Sequence, residues 1–192
     1  FDRLIGQNEI FIARLGGLAV ITAEEAIDYG LVGPNLRASG VAFDLRRDEP
    51  YSVYPDIFAA LPGWQTPVGD GRMGQVGDSW DRFRVRIEEW RGSCQLLRVA
   101  LDQIQETPKG EFCTRPKKTR FKGEAFARVE AARGDMGCYV VGDGTGNAYR
   151  ARFRTGSFNA MGCVREKSRG LMVADLVALI ASLDVVAPEI DR

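Results

Sequence analysis

Whatever chemistry this chain does, it does without histidine, because its 192 residues contain none. That removes Ser-His-Asp and Cys-His nucleophilic catalysis, histidine-ligated metals and a histidine pH switch from the chain's own repertoire. Thiols, carboxylates and guanidinium groups are left. The cysteines, Cys94, Cys113, Cys138 and Cys163, form no CxxC or CxxxxC pair, so free thiols are expected rather than a zinc knuckle or an iron–sulfur site. Arg37 and Arg133 stand in glycine-containing, loop-like settings. Structural hydrogen bonding is the bland reading of both, and a catalytic role is the sharper one. Asp184 follows an apolar helical run, where the helix dipole disfavours a carboxylate unless a cation pairs with it. An ion pair at Asp184 is therefore expected.

A basic run occupies residues 115–122 (RPKKTRFK), with Arg115, Lys117, Lys118, Arg120 and Lys122 and no acid. It reads either as an anion or nucleic-acid patch or as a solvated connecting loop, and the loop is favoured. The chain as a whole carries 26 basic and 26 acidic residues, which gives no general pull toward nucleic acid or an anionic membrane. Its longest apolar stretch, 173–183, is interrupted by Asp175 and falls short of the roughly 20 residues a bilayer requires, so membrane association is expected to be indirect.

The elements that must position these groups are legible in outline. Residues 1–17 carry apolar positions at helical spacing and predict an amphipathic helix starting almost at the first residue. Thr22 to Glu25 has the form of a capping box, opening a short helix that Gly30 should end. Residues 33–78 hold Pro34, Pro50, Pro55, Pro62 and Pro67 and predict a long, mostly irregular stretch, of the kind that is functional or lies across a partner. From 78 to 106 the residues Trp80, Phe83, Ile87, Trp90, Cys94, Leu97, Leu101 and Ile104 make one apolar stripe on a helix roughly 40 Å long. No helix of similar length is evident to cover it, which places the cover on another chain. From Glu124 the period changes to two, and the turn GDGTGN at 142–147 separates two further strands, predicting a three-stranded antiparallel meander. A short irregular or helical segment at 157–164, a helix over 173–183 and a tail complete an α+β, mainly helical chain.

Six strings, taken in order, carry a resemblance. They are GPNLRASG at 33–40, FDLRRDEPY at 43–51, RVRIEEWR at 84–91, VEAARG at 129–134, VVGDG at 140–144, and Leu183-Asp184 running to Glu189-Ile190-Asp191-Arg192. Together they resemble the 49 kDa component of respiratory complex I, the NADH:quinone oxidoreductase, over its C-terminal half. The resemblance implies the C-terminal part of a helical bundle with a small antiparallel sheet, similar to the large subunit of nickel–iron hydrogenases. Residues 1–110 would form a helical part with the long irregular segment, and 111–192 the sheet, C-terminal helix and tail. Hydrogenases close with a DPCxxC pattern. Here Val186 and Glu189 stand at the two cysteine positions, so no nickel–iron centre is implied.

In the quinone-reducing family that vacated place is similar to the inner end of the quinone pocket. The resemblance makes Arg133, Asp184 and Val186 pocket candidates, with Arg37, Glu130 and Arg192 in support. EAARG at 130–134 looks like the family's EAPRG, with Ala132 in place of the proline. Beside a quinone, Arg133 could stabilise developing negative charge, or it could pair with Asp184. The His and Tyr that hold the quinone head group in the family belong to its N-terminal half. The implied function is therefore part of the pocket wall for NADH:ubiquinone oxidoreduction coupled to proton translocation. The chain would bind no cofactor itself, with iron–sulfur clusters and FMN in partner subunits. Its partners would be the chain carrying the N-terminal half, the cluster-bearing quinone-module subunit and quinone, without nucleic acid. A start at Phe1 and half a family length lead to the expectation of a split subunit on the matrix face of the mitochondrial inner membrane, or second, the cytoplasmic face of a bacterial membrane. A structural or assembly remnant of the same subunit is the rival from another class.

Overall fold

The computed structural model describes residues 5–110, 113 and 120–191. Its first helix, α1 (Glu9–Leu15), starts later than the spacing predicts, and residues 1–4 lie outside the described residues. The reason is local. Asn8 takes extended backbone geometry and its side chain accepts a hydrogen bond from Phe11 N at 3.1 Å, which sets the helix boundary there. In α2 (Ala23–Asp28) the predicted capping box forms, with Glu25 N donating to Thr22 Oγ1 and Thr22 N donating to Glu25 Oε2. Gly30, at φ 65°, ends it: Leu31 N reaches back to Ala26 O and Gly30 N to Ile27 O.

The stretch expected to be irregular instead holds three short helices, α3 (Gly33–Ala38), α4 (Leu45–Asp48) and α5 (Tyr54–Ala59). Pro34 and Pro55 sit in the first turn of α3 and α5, where a missing N–H costs nothing and a fixed φ helps. They begin helices rather than break them. The long helix α6 (Ser79–Glu106) forms where the stripe predicts it, with Asp78 as its cap. Its first two turns are covered within the chain: Trp80 and Phe83 meet Phe11 of α1 edge to face and Val85 is fully buried, whereas Trp90 is mostly exposed. Farther along, Leu97, Leu101 and Ile104 are 61%, 58% and 66% exposed.

Strands β1 (Lys122–Ala131), β2 (Gly134–Asp143) and β3 (Ala148–Arg154) make the predicted antiparallel meander in the order β1-β2-β3. Ala131 pairs with Gly134, so residues 132 and 133 form a two-residue turn. Most of the basic run lies outside the described residues; of its members Arg120 and Phe121 are exposed and Lys122 opens β1. The segment after the sheet is a full helix, α7 (Gly156–Lys167), longer than expected. It is followed by α8 (Val173–Leu183), at the bounds the sequence predicts, and the one-turn α9 (Ala187–Ile190).

The main core joins α2, α3, α7 and α8 through Ile21, Ala26, Leu36, Cys163, Leu179 and Leu183. Burying leucines such as Leu179 and Leu183, almost completely removed from solvent, stabilises by about 1.5–3 kcal/mol each. A smaller cluster of Ile57, Trp64 and Leu96 seats α5 on α6. The first core fixes the end of α8 beside the start of α3, and that is where the charged groups gather.

Candidate functional site

Two glycines bring the β1–β2 turn onto α3. Gly33 has φ +58° and Gly134 φ +106°, and a Cβ on Gly33 would lie 2.3 Å from Gly134 Cα. Main chain therefore rests on main chain, and the flanking Glu130 and Arg133 are delivered beside α3 and the end of α8.

Arg37, in the last turn of α3, is the most enclosed cation of the group, its side chain 2% exposed. It donates from Nε to Glu89 Oε1 at 2.6 Å, from Nη1 to Phe43 O at 2.8 Å and from Nη2 to Glu130 Oε1 at 2.9 Å. Burial alone would lower its pKa, but Glu89, Glu130 and Asp44 outweigh burial and hold it above the usual arginine value. Burial pushes the Glu130 carboxyl up, further than Arg37 pulls it down. Fully buried Asp44 shows the opposite balance. Burial pushes it up, yet the forked contact from Arg46, with Nε to Oδ1 at 2.9 Å and Nη2 to Oδ2, together with Arg37, leaves it below the ordinary value.

The other half of the cluster surrounds Asp184, which closes α8 in the left-handed conformation, φ 52° and ψ 46°. Arg133 reaches it twice, from Nε to the Asp184 carbonyl at 3.1 Å and from Nη2 to Oδ1 at 3.4 Å. The expected ion pair is thus made, and with the expected partner. Arg86 of α6 comes within 3.9 Å of Asp184 Oδ2. Burial takes the Arg86 pKa down to about 10, with Arg133 and Arg37 adding to the fall and Asp184 and Glu89 opposing it.

Between the halves lies a cleft of about 310 Å³ with Arg37, Arg46, Arg86, Glu89, Glu130 and Ala132 in its wall. Of the sequence-predicted residues, Arg37 and Glu130 line it; Arg133, Asp184 and Val186 are not in its lining. Val186 sits at the start of α9, half-buried, with its N–H donating to Ser157 Oγ at 3.3 Å. Arg192 lies outside the described residues. Glu189 accepts hydrogen bonds from Ser157 Oγ and Ser157 N at the first turn of α7. Its carboxylate thus caps a helix whose own N-cap, Thr155, makes no side-chain cap bond. Among the described residues, no group of three or more His, Cys, Asp or Glu is arranged to hold a metal ion, and no helix is long and apolar enough to cross a membrane.

Sequence reasoning passed over Asp44, Arg46, Arg86 and Glu89. For the last two a signal existed. Arg82, Arg86 and Glu89 recur at helical spacing on the side of α6 away from the apolar stripe, together with buried Val85. A charged face beside a buried valine is a face that packs against something polar. Arg82 itself is buried and donates to Ser182 Oγ, Gly77 O, Ala19 O and Ser79 Oγ. Burial, and then Arg86, take its pKa down to about 10.

A family model described as "Respiratory-chain NADH dehydrogenase, 49 Kd subunit" matches residues 1–122 and 111–192. The chain is 63% identical over 193 residues to a D-type NADH-quinone oxidoreductase subunit, the second of its kind in Sorangium cellulosum (strain So ce56), with 100% of this chain and 48% of the relative covered. It is 55% identical over 194 residues to the protein of the same name in Anaeromyxobacter dehalogenans (strain 2CP-C), covering 100% and 49%. It is 41% identical over 195 residues to the D-type NADH-quinone oxidoreductase subunit of Syntrophobacter fumaroxidans (strain DSM 10017 / MPOB), again covering 100% and 49%. The chain spans about half the length of these curated relatives.

Proposed function

The chain belongs to the 49 kDa subunit family of respiratory-chain NADH dehydrogenase, and from that premise we propose that it forms part of the quinone-pocket wall of a proton-translocating NADH:quinone oxidoreductase. The observation that carries the reading is the Arg133–Asp184 pair, which Arg86 joins to a cleft walled by Arg37, Arg86 and Glu130. Fixed guanidinium groups in a low-dielectric setting are what a carbonyl acceptor gaining negative charge requires of its surroundings. The chain supplies such charges but no redox group. Electrons would arrive from an iron–sulfur cluster in a neighbouring subunit, fed by FMN farther off, and quinone would be the substrate. Val186 would contribute apolar surface beside the pair.

In the same proposal the chain is the C-terminal part of a hydrogenase large-subunit-like helical bundle, with 1–110 as its helical part and 111–192 as sheet and tail. The rest of the subunit covers the exposed end of α6, whether on a separate chain, as a split subunit requires, or otherwise. The relatives named above are bacterial. They favour the cytoplasmic face of a bacterial plasma membrane over the matrix face of a mitochondrion, with membrane contact made through other subunits of the complex.

The test is made in the assembled complex with Arg133→Ala and Asp184→Asn. Quinone reduction and sensitivity to quinone-site inhibitors should fall, while NADH oxidation by an artificial acceptor upstream of the pocket should be kept. Unchanged turnover and inhibitor sensitivity would instead assign the chain to a structural remnant of the subunit.

A further inference from the structure

Arg86 stands where the two halves of the cluster meet. It donates from Nη1 to Ser182 O at 2.7 Å and from Nη2 to Leu183 O at 3.1 Å, the final carbonyls of α8. Nη2 also reaches Asn35 Oδ1 at 2.7 Å, and Asn35 Nδ2 donates to the same Leu183 carbonyl at 3.0 Å. Terminal helix carbonyls have no partner inside their own helix. A non-glycine residue in the left-handed region right after them persists only where its surroundings over-determine it. Asp184 is such a residue, and its N–H makes a single cap bond, to Ala181 O at 3.2 Å.

We propose that Arg86 is the positioning residue of this site. By gripping the Ser182 and Leu183 carbonyls it holds Asp184 left-handed, and so aims both the carboxylate and the carbonyl of Asp184 at Arg133. The inference rests on reading Asp184 and Arg133 as part of the quinone pocket. It assigns Arg86 no contact with substrate. Its action is through the fork of its guanidinium rather than its charge, because the bonds that matter run to two neighbouring carbonyls.

Lysine separates fork from charge. The intact complex is prepared with Arg86→Lys, with Asp184→Asn and with both, and quinone KM, kcat and inhibitor sensitivity are read against NADH oxidation by an artificial acceptor. Each single substitution should raise quinone KM by about three- to tenfold, and the double should do no more than the larger single, since both remove the same alignment. Effects that multiply overturn the proposal, as does an Arg86→Lys complex indistinguishable from the natural one. In either case an Asp184→Asn shift leaves the pocket reading standing. A silent Asp184→Asn overturns the pocket reading and the proposal with it. If Arg86→Lys does not assemble, Asn35→Ala takes its place; a smaller KM rise that vanishes in the Asp184→Asn background supports the proposal, and one that persists there overturns it. A structure of the variant complex gives a readout independent of turnover. With Arg86→Lys, residue 184 should leave the left-handed region, and its retention there counts against the proposal.

Discussion

Arg37 Nη2 lies 2.9 Å from Glu130 Oε1, and the contact ties the last turn of α3 to the strand entering the 132–133 turn. The same guanidinium holds Glu89 of α6 through Nε. One buried cation thus joins three elements that are distant in sequence. With Nε, Nη1 and Nη2 each already engaged, Arg37 is architecture at the edge of the cleft.

Removing that cation should be severe. Arg37→Met strands the nearly buried Glu130 and Glu89 without their partner, and breaking a buried pair in this way costs about 3–5 kcal/mol. The expected outcome is a large fall in assembled complex, or in the melting temperature of the subunit within it. Glu130→Gln keeps shape and one hydrogen bond and should lose clearly less. Equal losses in the two variants would contradict this account.

Two acids of the cluster, Asp44 and Glu130, should respond to pH with opposite signs. Burial raises the Asp44 carboxyl, but Arg46 and Arg37 hold it below its ordinary 3.8. Its stabilising contribution is therefore complete above pH 3.8 and is lost as pH falls through the still lower folded value. Burial holds Glu130 above 4.5. The folded state binds that proton more tightly than the unfolded one, so stability declines as pH rises from 4.5 through the folded value. Melting measured from about pH 3 to pH 7 should lose part of its acid limb in Asp44→Asn and part of its upper decline in Glu130→Gln. A steeper acid limb in Asp44→Asn is the wrong result.

The α2 cap offers a smaller and cleaner number. Thr22→Ala removes the acceptor for Glu25 N and should cost about 1 kcal/mol in a melting experiment. Glu25→Ala should cost somewhat more, because Glu25 also accepts from Lys167 Nζ at 2.6 Å and so links α2 to α7. A Thr22→Ala variant as stable as the natural protein would show that other contacts hold the helix start.

The far end of α6 should matter for association and not for folding. A Leu97→Glu/Leu101→Glu variant is expected to raise the soluble yield of the 192-residue chain expressed alone, since both side chains are mostly exposed there. It should also lower incorporation into the complex. Full incorporation would mean that nothing packs on this face.

Regular elements were legible because their signals are local. The stripe of α6, the bounds of α8, the Thr22 box, the Gly30 stop and the period-two meander each need only neighbours in sequence. The helices α3, α4 and α5 were hidden because each is too short for periodicity, and because proline in a first turn looks the same in sequence as proline in a loop. The site was half legible. Asp184 required a cation by the dipole argument and Arg133 supplies it. The charged face of α6 marked Arg86 as a residue that packs, but its partners Ser182 and Leu183, 96 and 97 residues away, were out of reach. No local pattern encodes a bond that only the packing of α8 on α6 creates.

The contact of Gly33 with Gly134 contains no side chain on either side. The seat of the β1–β2 turn is consequently indifferent to what the turn itself displays. Ala132, exposed on the turn, belongs to the outer skin of that corner and leaves its anchorage alone. Tolerance and intolerance lie two residues apart. The Ala132 side chain takes no part in that seat, while one methyl group on either glycine would lever Arg133 away from Asp184.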